Sequence, residues 1–153
     1  MITHYPCDLL KSPANVIVHQ ANLYHTFGAG IAKQIKQVYP EAYEADLKTP
    51  KGDKAKLGTF SYAKTKDGKF VVNLYSQDGI GGKDRRTSYD AMVTGFEAIH
   101  KKLVRSDRKW ILGIPYGIGA GLANGNWNII EAIINSIFQE SDLSVYICHL
   151  TKQ

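Results

Sequence analysis

The chain has 153 residues, 44% of them hydrophobic, which suits one domain with one core and argues against disorder. No apolar run is long enough to span a bilayer, and Met1 to Pro6 lacks the basic-then-apolar layout of a secretory leader, so no membrane partner is expected. A formal net charge of +5 favours anionic partners in general. The lysines run from Lys11 to Lys152 without forming a block and do not interleave with aromatic residues, so no specific nucleic-acid partner is expected.

Thr3 to Tyr5 reads as a short first strand. Asp8 and Leu9 follow, and Pro13 closes a connector. Asp8 can cap a turn or accept a hydrogen bond from a ligand amine. Val16 to Asn22 opens as a β-branched apolar run, the composition of a buried strand. It leads through polar residues into Gly28-Ala29-Gly30. Beyond the glycines the apolar period becomes helical, with Ile31, Ile35 and Val38 on one face, so a helix is expected from about Gly28 to Tyr39.

Strand, glycine-bearing loop and helix in that order can make an anion site. The glycines admit a ligand to the backbone, and the free N–H groups of the helix start point at it. Glycines equally serve any tight strand-to-helix turn.

Pro40 restarts a short helix through Glu41 to Leu47, and Thr49 to Asp53 is a breaker cluster. Gly58 to Thr65 alternates as a half-buried strand, Lys66-Asp67-Gly68 turns, and Lys69 to Tyr75 returns with the near-continuous apolar content of a strand buried on both faces. The loop from Ser76 to Arg86 is long, charged and glycine-bearing, and mobility is expected of it. Ser88 is a suitable N-cap for a helix whose stripe is Tyr89, Met92, Val93, Phe96, Ile99 and Leu103.

Trp110 to Pro115 reads as another buried strand, followed by Gly117, Ile118, Gly119, Ala120, Gly121 and Leu122. Asn126 then starts an amphipathic helix that buries Ile130, Ile133, Ile134, Ile137 and Phe138. Ser141-Asp142 breaks it, and Leu143 to Cys148 is the last strand. The tally of about six strands and four helices in alternation predicts a three-layer α/β/α domain over residues 1–153, with a mixed, mostly parallel six-stranded sheet. In such a sheet both glycine loops lie at the carboxyl ends of parallel strands, where α/β sheets bind ligands.

The sequence lacks a phosphate-binding P-loop and a G-x-S-x-G nucleophile elbow. His4, His19, His25, His100 and His149 are scattered, with no pair at metal-ligand spacing, so neither a metal nor a cofactor is expected. His19 fits a satisfied core histidine. His25, in the first glycine loop, fits either a surface residue or a general base. Cys7 and Cys148 are too few for a disulfide framework and are read as reduced thiols of a cytoplasmic protein.

Val16-Ile-Val-His-Gln-Ala-Asn22 with Gly28-Ala-Gly-Ile-Ala32, then Gly117-Ile-Gly-Ala-Gly-Leu122, resembles the macrodomain family. The nearest branch includes terminal ADP-ribose protein glycohydrolases and proteins that process ADP-ribose-1''-phosphate. The resemblance spans nearly the whole chain and implies an ADP-ribose cleft. In that pattern Asp8 bonds the adenine amine, Leu9 lines the adenine pocket and Leu150 closes it. Asn22 faces the distal ribose, while Gly28, Ala29, Gly30, Ile31 and Ala32 clamp the diphosphate against the loop Gly117 to Leu122. A carboxylate introduced at Gly119 is expected to repel that diphosphate without unfolding the chain.

The implied partner is ADP-ribose or an ADP-ribosylated substrate, and the implied activity is hydrolysis at the distal ribose, with Asn22 and His25 as catalytic candidates. Candidate substrates are ADP-ribose-1''-phosphate, an O-acetyl ester and ADP-ribosylated protein, the last giving de-ADP-ribosylation. A non-catalytic ADP-ribose reader is the alternative, and a nucleic-acid-binding domain ranks third. The chain departs from the glycohydrolase pattern at two places. Ser76 and Gln77 stand where that branch has its lysine nucleophile, and Ala123 stands where it has an aspartate.

Overall fold

The computed structural model describes residues 1–150; residues 151–153 of the expected domain lie outside the described residues. Six strands form one sheet: β1 (Ile2–Pro6), β2 (Val16–Asn22), β3 (Phe60–Lys64), β4 (Phe70–Gln77), β5 (Ile111–Pro115) and β6 (Ser144–His149). Four α-helices accompany them: α1 (Gly30–Val38), α2 (Pro40–Leu47), α3 (Tyr89–Val104) and α4 (Trp127–Phe138). Short 3-10 turns at Leu9–Lys11 and Lys54–Lys56, which the apolar pattern is too short to reveal, are capped by Asp8 and Asp53.

The strand order is β1-β6-β5-β2-β4-β3. All pairings are parallel except β3 with β4, joined by the expected hairpin, whose Gly68 sits at φ +86°. The mixed, mostly parallel α/β sheet is as the sequence predicts.

Period-two alternation sorts the core into two layers. Val16, Val18, Val72 and Leu74 face α3 and α4, where Met92, Phe96, Ile130, Ile134 and Phe138 are fully buried. Ile17, Ala21, Val71 and Tyr75 face the other way, onto Ile35, Tyr39 and Ala42 of the α1–α2 layer. At full burial each large aliphatic or aromatic side chain contributes about 1.5–3 kcal/mol. Gly95 lets α3 approach β4 closely, because a Cβ there would meet Leu74 Cδ1 at 2.1 Å. Val38, expected on the buried face of α1, is exposed instead: the helix ends there and Tyr39 takes the buried position.

Five parallel strands ending on one edge bring five connections together: Asp8 after β1, the loop after β2, Asp78–Ser88 after β4, the loop after β5, and Leu150 after β6. The edge is stepped. Between β2 and β4 the register jumps from Ala21↔Tyr75 to Asn22↔Gln77, leaving Ser76 as an extra residue. Such a bulge bends a strand and re-aims the residues at its end.

Candidate functional site

The two loops expected to grip an anion both present unpaired backbone donors. α3 and α4 begin with side-chain caps: Ser88 Oγ accepts the Ala91 amide and Asn126 Oδ1 the Asn128 amide. Ala29 stands at the corresponding place in α1 and has no side chain to offer. The N–H groups of Gly30, Ile31 and Ala32 therefore have no acceptor within the described residues. They lie at the positive end of the helix dipole. Gly30 itself takes φ +59°, with open space where a Cβ would stand.

Across the edge, Gly117 at φ +78° and Gly119 at φ +74° fold the β5–α4 loop into successive turns, closed by Ile118 N–H to Pro115 O and Ala120 N–H to Gly117 O. The amides of Gly117, Gly119, Gly121 and Leu122 take no acceptor within the described residues. Gly121 and Leu122 are successive among them, the arrangement that can receive an anion.

Not every residue of these loops is free for a ligand. Ile118 is buried in the α3–α4 layer, so only its backbone lies at the edge. Gly119 is wedged: a Cβ would meet Met92 Cε at 2.6 Å, Thr87 Oγ1 at 3.0 Å and Gln20 Nε2 at 3.1 Å. A side chain at Gly119 is therefore strained, and a substitution there costs stability as well as touching the site. Gly121 has neither a positive φ nor a neighbour within reach of a Cβ. Leu122 and Leu150 stand exposed beside the loop ends. Leu9, expected to line an adenine pocket, is 4% exposed and packs under Gly113. Asp8 accepts the Leu10 amide through Oδ1 at 3.0 Å, leaving its second oxygen without a partner among the described residues.

Asn22 ends β2 and is 8% exposed. Its Oδ1 accepts the Tyr24 amide at 2.8 Å and its Nδ2 donates to Thr26 O at 2.8 Å. The side chain thus shapes the loop it precedes. It retains one N–H and one lone pair for a ligand.

His25 sits at the crest of that loop with φ +58°, a conformation that costs a non-glycine residue about 1–3 kcal/mol and persists only when neighbours enforce it. Two do. Tyr43 Oη donates to the His25 carbonyl at 2.9 Å, and His25 Nδ1 meets Asp46 Oδ2 at 3.0 Å.

Asp46, on α2, is fully buried and also accepts from Tyr75 Oη at 2.7 Å. Lys56 is buried beside it, with Nζ 4.7 Å from the centre of the Tyr75 ring and donating to Leu23 O and Thr49 Oγ1. Burial holds the Lys56 ammonium below its ordinary range while the Asp46 carboxylate works against that shift. Burial, seconded by Asp46, raises the Tyr75 phenol well above its ordinary range, so Tyr75 is a neutral donor.

The network continues through Ser61 Oγ, 2.7 Å from Tyr75 Oη, to Asn73 and then to His19. His19 Nε2 faces Asn73 Oδ1 at 2.7 Å. Since Asn73 Nδ2 is already donating to Ala42 O and Ser61, the Asn73 oxygen is the acceptor and His19 Nε2 carries the proton. His19 Nδ1 is buried without a partner among the described residues, and burial lowers the pKa to about 4. His19 is thus a neutral core residue, as its place in an apolar strand suggests.

At the two places where the glycohydrolase pattern has its lysine and its aspartate, this chain has Ser76-Gln77 and Ala123. Ser76 is fully buried and accepts from Gln20 Nε2 at 3.0 Å. Ala123 is buried, and its carbonyl accepts the amides of Arg86 and Thr87. The β4–α3 loop is tied to this place rather than free: Asn124 Nδ2 donates to Gly82 O and Asp84 O, and Arg86 Nε to Gly81 O. Lys83 and Asp84 point their exposed ends into solvent. Among the described residues no group of three metal-ligating side chains exists, and no helix is long and apolar enough to cross a membrane. Both cysteines are free, and burial raises Cys148 to about 11.

No family model matches the chain. An uncharacterised 17.5 kDa protein of enterobacteria phage T4 is 33% identical over 135 residues, covering 84% of this chain and 83% of the relative. A DNA ADP-ribosyl glycohydrolase of Mycobacterium tuberculosis is 27% identical over 143 residues, and this chain spans only 39% of its length. The solved macrodomain of Mycobacterium tuberculosis DarG superposes with a TM-score of 0.75 at 22% identity, over 99% of both chains. The chain has the macrodomain fold.

A further solved structure, Thermosipho africanus DarTG in complex with ADP-ribose, matches with a TM-score of 0.72 at 16% identity, over 95% of this chain and 40% of that one. Within the macrodomain fold, the two amide-bearing loops and Asn22 were legible in sequence. The Asp46–Tyr75–Lys56 network was not, because its members lie on α2, β4 and a 3-10 turn with no fixed spacing to the loop.

Proposed function

We propose that this macrodomain binds ADP-ribose and hydrolyses ADP-ribose derivatives at the distal ribose. The observation that carries the reading is the pair of facing donor arrays, Gly30–Ala32 and Gly117–Leu122, on one sheet edge. The two arrays follow neighbouring strands, β2 and β5, an arrangement that suits a diphosphate gripped from both sides, with Asp8 for an adenine amine and Asn22 for ribose hydroxyls. The solved complex with ADP-ribose and the DNA ADP-ribosyl glycohydrolase among its relatives support both halves of the reading.

The chemistry differs from that of a lysine nucleophile. With Ser76 and Ala123 at the family's catalytic places, water attacks directly and the bond to the leaving group breaks. Asn22 holds the ribose or the water, and His25 Nε2, or the ligand's own phosphate, takes the water's proton. The substrate set includes ADP-ribose-1''-phosphate, O-acetyl-ADP-ribose and ADP-ribosylated macromolecules. The two missing family groups also favour a second reading, a binding module without turnover. Incubation with each substrate class, followed by quantification of free ADP-ribose, separates them. Release of ADP-ribose from at least one class is expected, and binding with no release from any class gives the site to the reader.

A further inference from the structure

The His25 ring is held on one side only. Nδ1 meets Asp46 Oδ2 at 3.0 Å, whereas Nε2 has no partner among the described residues and is not sealed from solvent. The neighbours of Asp46 decide which nitrogen carries the proton. Its Oδ1 takes the Tyr75 hydroxyl at 2.7 Å, and the Lys56 ammonium lies close enough to attract it, so the carboxylate acts as acceptor to both sides. An acceptor at Oδ2 requires a donor at Nδ1.

We propose that Asp46 is a positioning residue that fixes His25 in the Nδ1–H form, leaving the Nε2 lone pair as the open base of the site. The buried carboxylate acts through the imidazole, as an orienting acid does for any catalytic histidine whose far nitrogen must be free. Tyr75 and Lys56 hold Asp46 in turn. The left-handed backbone at His25, pinned by Tyr43, sets the ring's place above α2. Nothing in the loop itself supplies this. His25 and Asp46 are brought together because α2 packs on β3 and β4, the latter next to β2, and Asn22 ties the loop shut between Tyr24 and Thr26.

The catalytic consequence rests on the hydrolytic reading; the tautomer does not. The test therefore reads the ring directly. Protein labelled with 15N at histidine is examined by long-range proton–nitrogen NMR at alkaline pH, as wild type and as Asp46→Asn, with His25→Ala to assign the signal. The wild type is expected to show His25 in the Nδ1–H form with a protected proton. Asp46→Asn, which can turn its amide toward Nδ1, is expected to lose that form. Turnover of any accepted substrate should fall about 10²-fold in kcat with KM little changed.

An Nε2–H ring in the wild type, or an unchanged ring in a folded Asp46→Asn, overturns the proposal. Should Asp46→Asn not fold, the wild-type spectrum decides alone. Wild-type protein that shows the Nδ1–H form yet turns over no substrate overturns the hydrolytic reading and leaves the positioning intact.

Discussion

His19 makes acid stability a quantitative probe of the polar layer beneath the site. In the unfolded chain it takes up a proton near pH 6.5, whereas in the folded protein burial defers that to about 4. Between those values the unfolded state binds more protons, so stability falls as pH drops from 6.5 towards 4 and this contribution levels off below. At pH 4.5 the loss from this one group comes to roughly 2.5 kcal/mol, a large part of a small domain's total. Carboxylates titrate in the same range, so the comparison is with His19→Gln. Its amide can still donate to Asn73 Oδ1, and its cost in stability does not vary with pH. Urea unfolding, followed by the fluorescence of Trp110 and Trp127 at pH 7 and 4.5, gives the two differences. The wild type should lose about 2–3 kcal/mol more than the variant. Equal losses would refute the burial of a neutral His19 and the Asn73 bond that assigns its proton.

The remaining expectations concern the loops. Gly121→Glu, in open space with an ordinary φ, should weaken ADP-ribose binding at least about tenfold by calorimetry, some 1.4 kcal/mol, at unchanged melting temperature. Gly119→Ala should lower stability by about 1–3 kcal/mol in denaturant titration, since a methyl there meets Met92 and Thr87 at φ +74°. Asn124→Ala, which removes both bonds to Gly82 and Asp84, should speed trypsin cleavage at Lys83, Arg85 and Arg86.

What the sequence disclosed was whatever is periodic or local. The strand-loop-helix units at Val16–Val38 and Ile111–Phe138, the caps Ser88 and Asn126, and the Gly68 hairpin depend on spacing and turn chemistry, and each stands where expected. The side-chain roles at the edge depend on contacts across the sheet, which spacing does not encode. Ile118 and Leu9 turn into the core, Asn22 bonds its own loop, and Gly119 is wedged by α3. The loop from Ser76 to Arg86 has the composition of a mobile segment, and its bonds from Asn124 to Gly82 and Asp84 come from a loop far away in sequence. His25 had no partner in sequence because Asp46, 3.0 Å away in space, lies on α2, beyond the whole of α1.

The most direct measurement is a calorimetric titration of the whole chain with ADP-ribose and, separately, with AMP. A macrodomain whose two amide arrays grip a diphosphate between adenine and distal ribose should bind ADP-ribose with a micromolar Kd, roughly −8 kcal/mol, and AMP more weakly. No heat with ADP-ribose, or equal affinity for AMP, would contradict the assignment of the two loops as the diphosphate clamp.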